Sequence, residues 1–381
     1  MRAQFRIPAS AARIEFLSSL EFEREKRQDV TGANMSDSVQ YFEGVEKLLE
    51  IWFTTGDSSN KAADLRKIPR AKLESLLKIV RCEIISFMKN EQVDAYVLSE
   101  SSMFISKRRF ILKTCGTTTP LLCLEPLLLL TEQYAGFTEV EDLFYSRKNY
   151  KRPELQVTPH KDFDQEVALL DSLFPDGVAY CMGAVNKDCW YLYTLNPFTR
   201  RAPHQPLPPV IEEPDQTLEI LMTDLDPEIM SIFSKEESLN ATEATKRSGI
   251  DKIIPNMIID DFLFEPCGYS MNGVTKNINT EMSDGCYMTI HITPEPEFSY
   301  VSFETNVACS SYREIINKVL DTFLPGKFTV TVFANQASPT KDTAEELQYL
   351  SSIGEWSRRD IQHCQFKNYD LIYTFYSKFP S

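Results

Sequence analysis

The chain has 381 residues, 43% of them hydrophobic and 25% charged, a balance that excludes a fibre or a disordered chain and leaves room for one large domain or two ordinary ones. The formal charge of −15 argues against a nucleic-acid partner and fits cationic ligands. Nine cysteines without paired spacing fit a reducing, cytoplasmic setting, and the four scattered histidines give no metal-ligand spacing, so no metal is expected.

Residues 1–38 carry Arg2, Arg6 and Arg13 beside small residues, but Glu15, Glu21 and Glu23 spoil a transit-peptide pattern, and a disordered extension is expected. From Tyr41 the chain becomes patterned. A helix is predicted over residues 42–53, and a second after Pro69, which suits a first helical turn. Glu43, Glu46 and Glu50 would then share one helix face, a stripe that is ordinarily solvated but whose mutual repulsion a cation would relieve.

Strands are predicted over residues 82–88, 96–104, 109–115, 178–182 and 189–194, with helices over 121–134 and 163–174. The apolar run LLCLEPLLLL is interrupted by Glu125 and Pro126 and is shorter than the roughly 18 residues a membrane span needs, so no membrane contact is expected. The Lys107, Arg108 and Arg109 run is expected to be a solvated hairpin turn. Six prolines between Asn196 and Asp215 mark a surface loop. Further strands are predicted over 217–222, 287–293, 298–305 and 327–335, and a helix over 312–323. The run from Tyr96 to Ser101 echoes that from Tyr300 to Thr305, which predicts two matched halves.

Several residues invite chemistry. Glu100, Ser101 and Ser102 interrupt an otherwise strand-like stretch, although a serine pair at a strand end is ordinarily turn chemistry. Cys115 ends the partner strand, where a cysteine is most often a small buried hydrophobe. His291 shares a strand face with Tyr287, Thr289 and Thr293 and, taken alone, is a satisfied sheet histidine. Asp215, Thr217 and Glu219 alternate and so project from one face of a strand.

Together FEGVEKLLE, YVLSESSMFISKRRFILKTCGTT, FYSRKN, PDQTLEI, EPCGYSMNG and HITPEPEFSYVSFETN resemble the eukaryotic S-adenosylmethionine decarboxylases over nearly all of residues 41–369. The resemblance implies an α+β fold, a four-layer α/β/β/α sandwich of two antiparallel sheets, internally duplicated. Residues 39–381 would form one domain, cut by the protein itself between Glu100 and Ser101 into chains 1–100 and 101–381.

The same resemblance implies that the cofactor is pyruvate, a covalent pyruvoyl group derived from Ser101. An N-to-O acyl shift would turn the Glu100–Ser101 amide into an ester; loss of the serine α-proton would expel it and leave the pyruvoyl terminus. A serine hydroxyl is a poor nucleophile, so this requires a held or strained peptide and a stabilised oxyanion. Ser270 and His291 match the processing residues, His291 as the base. Cys115 matches the donor that protonates the substrate carbon; protonation at the pyruvoyl carbon instead would transaminate and destroy the cofactor. A thiol with an ordinary pKa of about 8.5 can serve as that acid. Glu43 and Glu46 match the active-site neighbourhood.

Phe42 and Phe264 match an adenine-stacking pair, Glu295 a ribose ligand, and Glu100 a substrate contact. Asp215, Thr217, Glu219 and Glu304, with Glu50, Lys113, Phe144, Glu166, Phe333 and Tyr369, match a buried site for putrescine, whose two ammonium groups supply the countercharge such burial demands. The implied activity is decarboxylation of S-adenosylmethionine to the aminopropyl donor for spermidine and spermine. A catalytically idle homologue that regulates an active partner, and an amidohydrolase keeping Ser101 as a free terminal nucleophile, are the rival readings. The long amino-terminal extension, the proline-rich loop and an insertion over residues 275–282 depart from the family pattern, and a dimer of the processed unit is left open.

Overall fold

A computed structural model describes residues 42–55, 60, 62–196, 213–276 and 284–378. The expectations for residues 1–38, for the proline-rich run 197–212 and for most of the insertion lie outside the described residues.

Two antiparallel sheets organise the chain. The first holds β1 (Lys47–Thr54), β2 (Ile84–Lys89), β3 (Val93–Leu98), β4 (Ser101–Ser106), β5 (Arg109–Thr114), β6 (Glu139–Lys148), β7 (Val178–Gly183) and β8 (Cys189–Thr194) in the order β2-β3-β4-β5-β1-β6-β8-β7. The second holds β9 (Gln216–Thr223), β10 (Met257–Leu263), β11 (Tyr269–Thr275), β12 (Tyr287–Thr293), β13 (Tyr300–Thr305), β14 (Lys327–Asn335), β15 (Ser352–Ile353), β16 (Trp356–Gln365) and β17 (Tyr369–Lys378), ordered β10-β11-β12-β13-β9-β14-β17-β16-β15. With β9 in place of β1, β10 of β2, and so on to β17 for β8 and β16 for β7, the two paths are the same, and only the short β15 is extra. The fold is therefore duplicated. The echo that predicted this does not mark the repeat, because Tyr96 lies in β3 and Tyr300 in β13, whereas the topological counterpart of β3 is β11.

Strand alternation divides the side chains between layers. On β1, Leu49, Ile51 and Phe53 pack with Leu73, Leu76 and Leu77 of helix Arg70–Val80. Each such buried side chain contributes about 1.5–3 kcal/mol. Leu48 and Trp52 face the other way and pack with residues of the second sheet, Leu48 beside Val274 and Tyr287, Trp52 beside Leu221 and Tyr300. The second sheet covers its outer face with helix Arg313–Phe323, whose Ile316, Val319, Leu320 and Phe323 meet Leu218, Ile220 and Met222. The result is a four-layer α/β/β/α sandwich. Its middle is unusual: between two apolar clusters the inner faces carry buried charge, including Glu46, Glu50, Arg109, Lys113, Glu219 and Glu304. Among the described residues no helix is long and apolar enough to cross a membrane.

Two expectations are corrected. Residues 42–53 are not a helix; they are an extended entry followed by β1, so Glu43, Glu46 and Glu50 share no helix face. Both faces of β1 are buried, which erases the polar/apolar alternation that identifies a strand. The strand predicted over 96–104 is two strands, β3 and β4, joined by a tight turn at Ser99 and Glu100.

Candidate active site

The turn at Ser99 and Glu100 places residue 101 at the head of β4, opposite Leu98 on β3 and Thr114 on β5. Two-residue hairpins ordinarily need positive φ within the turn. Neither turn residue adopts it here; Ser101 does, at +127°, a conformation that L side chains rarely take. The strain therefore sits at the Glu100–Ser101 peptide. Ser101 is buried and its hydroxyl donates to Glu46 Oε1. The Glu100 carbonyl oxygen accepts the Cys115 N–H at 3.0 Å and lies 3.5 Å from the Cys115 thiol.

The second sheet closes over this bond. Ser270 on β11 stands opposite His291 on β12, and its hydroxyl lies 2.8 Å from His291 Nδ1. His291 Nε2 lies 2.8 Å from Thr289 Oγ1 and 3.9 Å from Glu46 Oε1, the same atom that holds Ser101. Ser102 donates across the sheets to Asn272 Oδ1 at 2.7 Å. Burial lowers the His291 imidazole to about 4, so it is neutral and can accept a proton. Burial by itself would raise Glu46, but chiefly Lys113, with the Ser101 hydroxyl, outweighs it and holds the carboxylate ionised. Burial, with Glu100 and Glu46 close by, pushes the Cys115 thiol well above its ordinary value, while Lys47 pulls it down. Burial also raises Glu100, to about 7.

The residues expected to grip a substrate divide between the sheets. Phe42 enters β1 and its ring lies against Gly116, beside the Glu100 carboxyl. Phe264 follows β10, its ring edge-on to Phe262 at 4.8 Å. Glu295 follows β12 and keeps a buried Oε2 without a hydrogen-bond partner, an acceptor open to a ligand. The Glu43 carboxylate, in contrast, is engaged by the backbone N–H groups of Lys151 and Arg152, and its carbonyl accepts the Gly116 N–H, so it anchors the loop that carries Cys115.

Deeper between the sheets, Glu50, Phe144, Asp215, Thr217, Glu219, Glu304, Phe333 and Tyr369 line one cavity. Tyr369 donates to Asp215 at 2.8 Å, and Phe144 packs edge-on to both Phe333 and Tyr369. Lys113 joins the cavity to the strained peptide, with Nζ 2.6 Å from Glu304, 3.4 Å from Glu219 and 3.5 Å from Glu46. Burial, opposed by Lys113 and aided by Glu304, raises Glu219 to about 7; burial likewise raises Glu50 despite Arg109.

Glu166 does not join this cavity. Phe144 and Ser146 of β6 line it, while the alternate residues Tyr145 and Arg147 point to the helix layer, where they hold Glu166 with His160 at 2.5–2.8 Å. Arg109 is the opposite case. Read in the sequence as part of a solvated turn, it is buried, its guanidinium 2.9 Å from Glu50 and 3.5 Å from Asp215 and 4.8 Å from the Trp52 ring centroid. The spacing of Arg109, Ile111 and Lys113 on β5 carried that signal, because period two puts all three on one face. Lys47 and Asn272 were also missed; they lie within residue runs that carry the resemblance, but nothing in their local pattern marks them, whereas Thr289 was legible only as a residue on the strand face of His291.

These features define a class: a duplicated two-sheet α+β sandwich with a strained serine peptide and a charge-rich layer between the sheets. The family profile described as adenosylmethionine decarboxylase matches residues 39–377. The chain is similar to the S-adenosylmethionine decarboxylase proenzymes of Drosophila melanogaster, 56% identical over 90% of this chain and 97% of that one, and of Xenopus laevis, 50% identical over 90% and 96%. It also resembles the crystal structure of the Trypanosoma brucei AdoMetDC-delta26 monomer in fold, with a TM-score of 0.53 and 24% identity over 72% of this chain and 98% of that one. This chain belongs to the adenosylmethionine decarboxylase family.

Proposed function

We propose that the protein cleaves itself between Glu100 and Ser101 and then decarboxylates S-adenosylmethionine to the aminopropyl donor for spermidine and spermine synthesis. Residues 39–381 act as one domain, and the resulting chains 1–100 and 101–381 stay together. The observation that carries this reading is the Ser101 peptide itself: a positive φ, a hydroxyl held by an ionised carboxylate, and a carbonyl already bonded to an N–H.

In processing, Ser101 Oγ bonds to the Glu100 carbonyl carbon, and the C–N bond breaks to leave an ester and a free amine. The Glu100 oxygen carries the transient charge, and the Cys115 N–H at 3.0 Å meets it. Glu46 orients the hydroxyl, and neutral His291, tied to Ser270, takes the Ser101 α-proton as the Glu100 carboxylate departs. Elimination leaves a double bond at residue 101; water then releases ammonia and leaves the pyruvoyl group. Ser101 fits that origin, buried with acid, base and thiol around it. Once formed, the pyruvoyl carbonyl supplies an electron sink for the pair that carbon dioxide leaves behind.

The remaining work falls to side chains. Phe42 and Phe264 offer aromatic faces to adenine and sulfonium, Glu295 accepts the ribose hydroxyls, and Cys115 delivers a proton to the substrate carbon. Putrescine occupies the acidic cavity and acts on Ser101 through Lys113 and Glu46. The test joins intact mass with carbon dioxide release. Two chains are expected, the longer beginning with pyruvoyl at residue 101, with release from carboxyl-labelled substrate that putrescine increases. A single uncut chain from folded protein, or a cut chain beginning with serine, overturns the reading; release indifferent to putrescine removes the cavity assignment alone.

A further inference from the structure

Lys47 opens β1 opposite Thr114 on β5 and Arg147 on β6 and is completely buried. Its side chain leaves on the helix side, away from Glu46. There Nζ donates to the Gly116 carbonyl at 2.8 Å and stands 5.6 Å from the Tyr150 ring centroid. A buried ammonium is costly when a carbonyl and a ring are its near partners. Arg147, its charged neighbour, is already paired with Glu166 at 2.8 Å.

The placement has a chemical meaning. Gly116 follows the thiol, its N–H donating to the Glu43 carbonyl at 3.0 Å and its carbonyl accepting from Lys47, so Lys47 and the Glu43 backbone hold the two peptide groups of Gly116. The thiol itself sits 3.9 Å from the Glu100 carboxyl, with Glu46 nearby, surroundings in which burial and both acids oppose ionisation. Lys47 is the cation that pulls the other way.

We propose that Lys47 is a positioning residue for decarboxylation: it holds the carbonyl of Gly116, the residue next to Cys115, and supplies the positive charge that lets the thiol release its proton to the substrate carbon. This rests on the function proposed above. Without that charge the thiol keeps its proton, and the electron pair left by carbon dioxide would take one from water, at the terminal carbon of the 101–381 chain, instead. Water then frees the substrate as an aldehyde, and the chain keeps the nitrogen as a terminal alanine.

The test compares wild type with K47M and K47R after intact mass has shown that each is split. Alkylation of Cys115 by iodoacetamide, followed by peptide mapping at pH 8, is expected to be about tenfold slower in K47M, equivalent to about one pKa unit. Alanine-terminated chain per turnover is expected to rise several-fold, and K47R to stay near wild type in both. A K47M protein with wild-type alkylation and wild-type alanine yield, differing only in melting temperature, overturns the proposal.

If K47M does not fold, the pH profiles of wild type and K47R decide. Lys47 faces Cys115, Glu166, Arg147, Cys82, Glu100 and Tyr150, and burial lowers its ammonium to about 8. Alanine per turnover is expected to climb between about pH 7 and 9 in wild type and to stay flat in K47R, whose guanidinium does not titrate there. Coincident profiles overturn the proposal. A wild-type chain that never splits refutes the proposed function and is seen before either comparison begins.

Discussion

Gly116 turns at a φ of +61°, and a Cβ there would stand 2.8 Å from Cε2 of Phe42 and 3.4 Å from the Glu100 carboxyl. A side chain would pay twice, once for a backbone that favours glycine and once for a ring that must move. Gly116→Ala is therefore expected to cost about 1–3 kcal/mol of stability. Because the displaced ring is the aromatic face assigned to adenine, KM for S-adenosylmethionine should increase about tenfold, the equivalent of about 1.4 kcal/mol. Steady-state kinetics on the split protein check this; an unchanged KM would free Phe42 of that assignment. Gly116 was legible only as the residue after a cysteine. Its importance comes from a tertiary approach that a linear pattern does not encode.

At the scale of elements, β6 separates two acidic groups that the sequence had merged. Phe144 faces the cavity and Tyr145 the helix layer, so Asp215 and Glu166 stand on opposite sides of one sheet. Their amide variants should then fail differently. Asp215→Asn is expected to abolish stimulation by putrescine while leaving the melting temperature without diamine nearly unchanged. Glu166→Gln removes the charge partner of a buried arginine and is expected to cost about 3 kcal/mol, with stimulation by putrescine intact. Activity with and without diamine, set beside thermal melts, distinguishes them; loss of stimulation in the Glu166 variant would return that residue to the cavity. The elements themselves were legible where one face is apolar, as in helix Arg70–Val80 and helix Phe163–Leu173, or where alternation is clear, as in β12. The segment through β1 was misread because acids at 43, 46 and 50 imitate helical spacing across an extended entry and a strand buried on both sides. The chemical residues Ser101, Cys115, Ser270 and His291 were legible only through the long motifs around them, since each alone is an ordinary strand residue.

Across the whole molecule, duplication brings two inner sheet faces together and fills the space between them with charge. Glu46, Glu50, Asp215, Glu219 and Glu304 gather around Arg109 and Lys113, five acids against two cations. The shortage of positive charge is visible in Glu219, held up at about 7 by burial and by Glu304 despite Lys113. A carboxyl raised in the folded state stabilises the fold below its unfolded value of about 4.5, and that contribution is lost as pH rises through about 7. A dication reverses the loss, because it favours the ionised carboxylate. Putrescine, whose amines remain charged near neutrality, should bind about fivefold more tightly at pH 7 than at pH 6, and the gain should flatten above about pH 8. Binding at pH 6.5 should release protons, detected by calorimetry in buffers of different ionisation enthalpy. The rise in melting temperature at a fixed diamine concentration should be larger at pH 8 than at pH 6, since only the native state offers the site. Heats that do not depend on the buffer would mean that the acids are already ionised before the diamine arrives, and the coupling between this charge layer and its ligand would have to be sought in Lys113 and Arg109 instead.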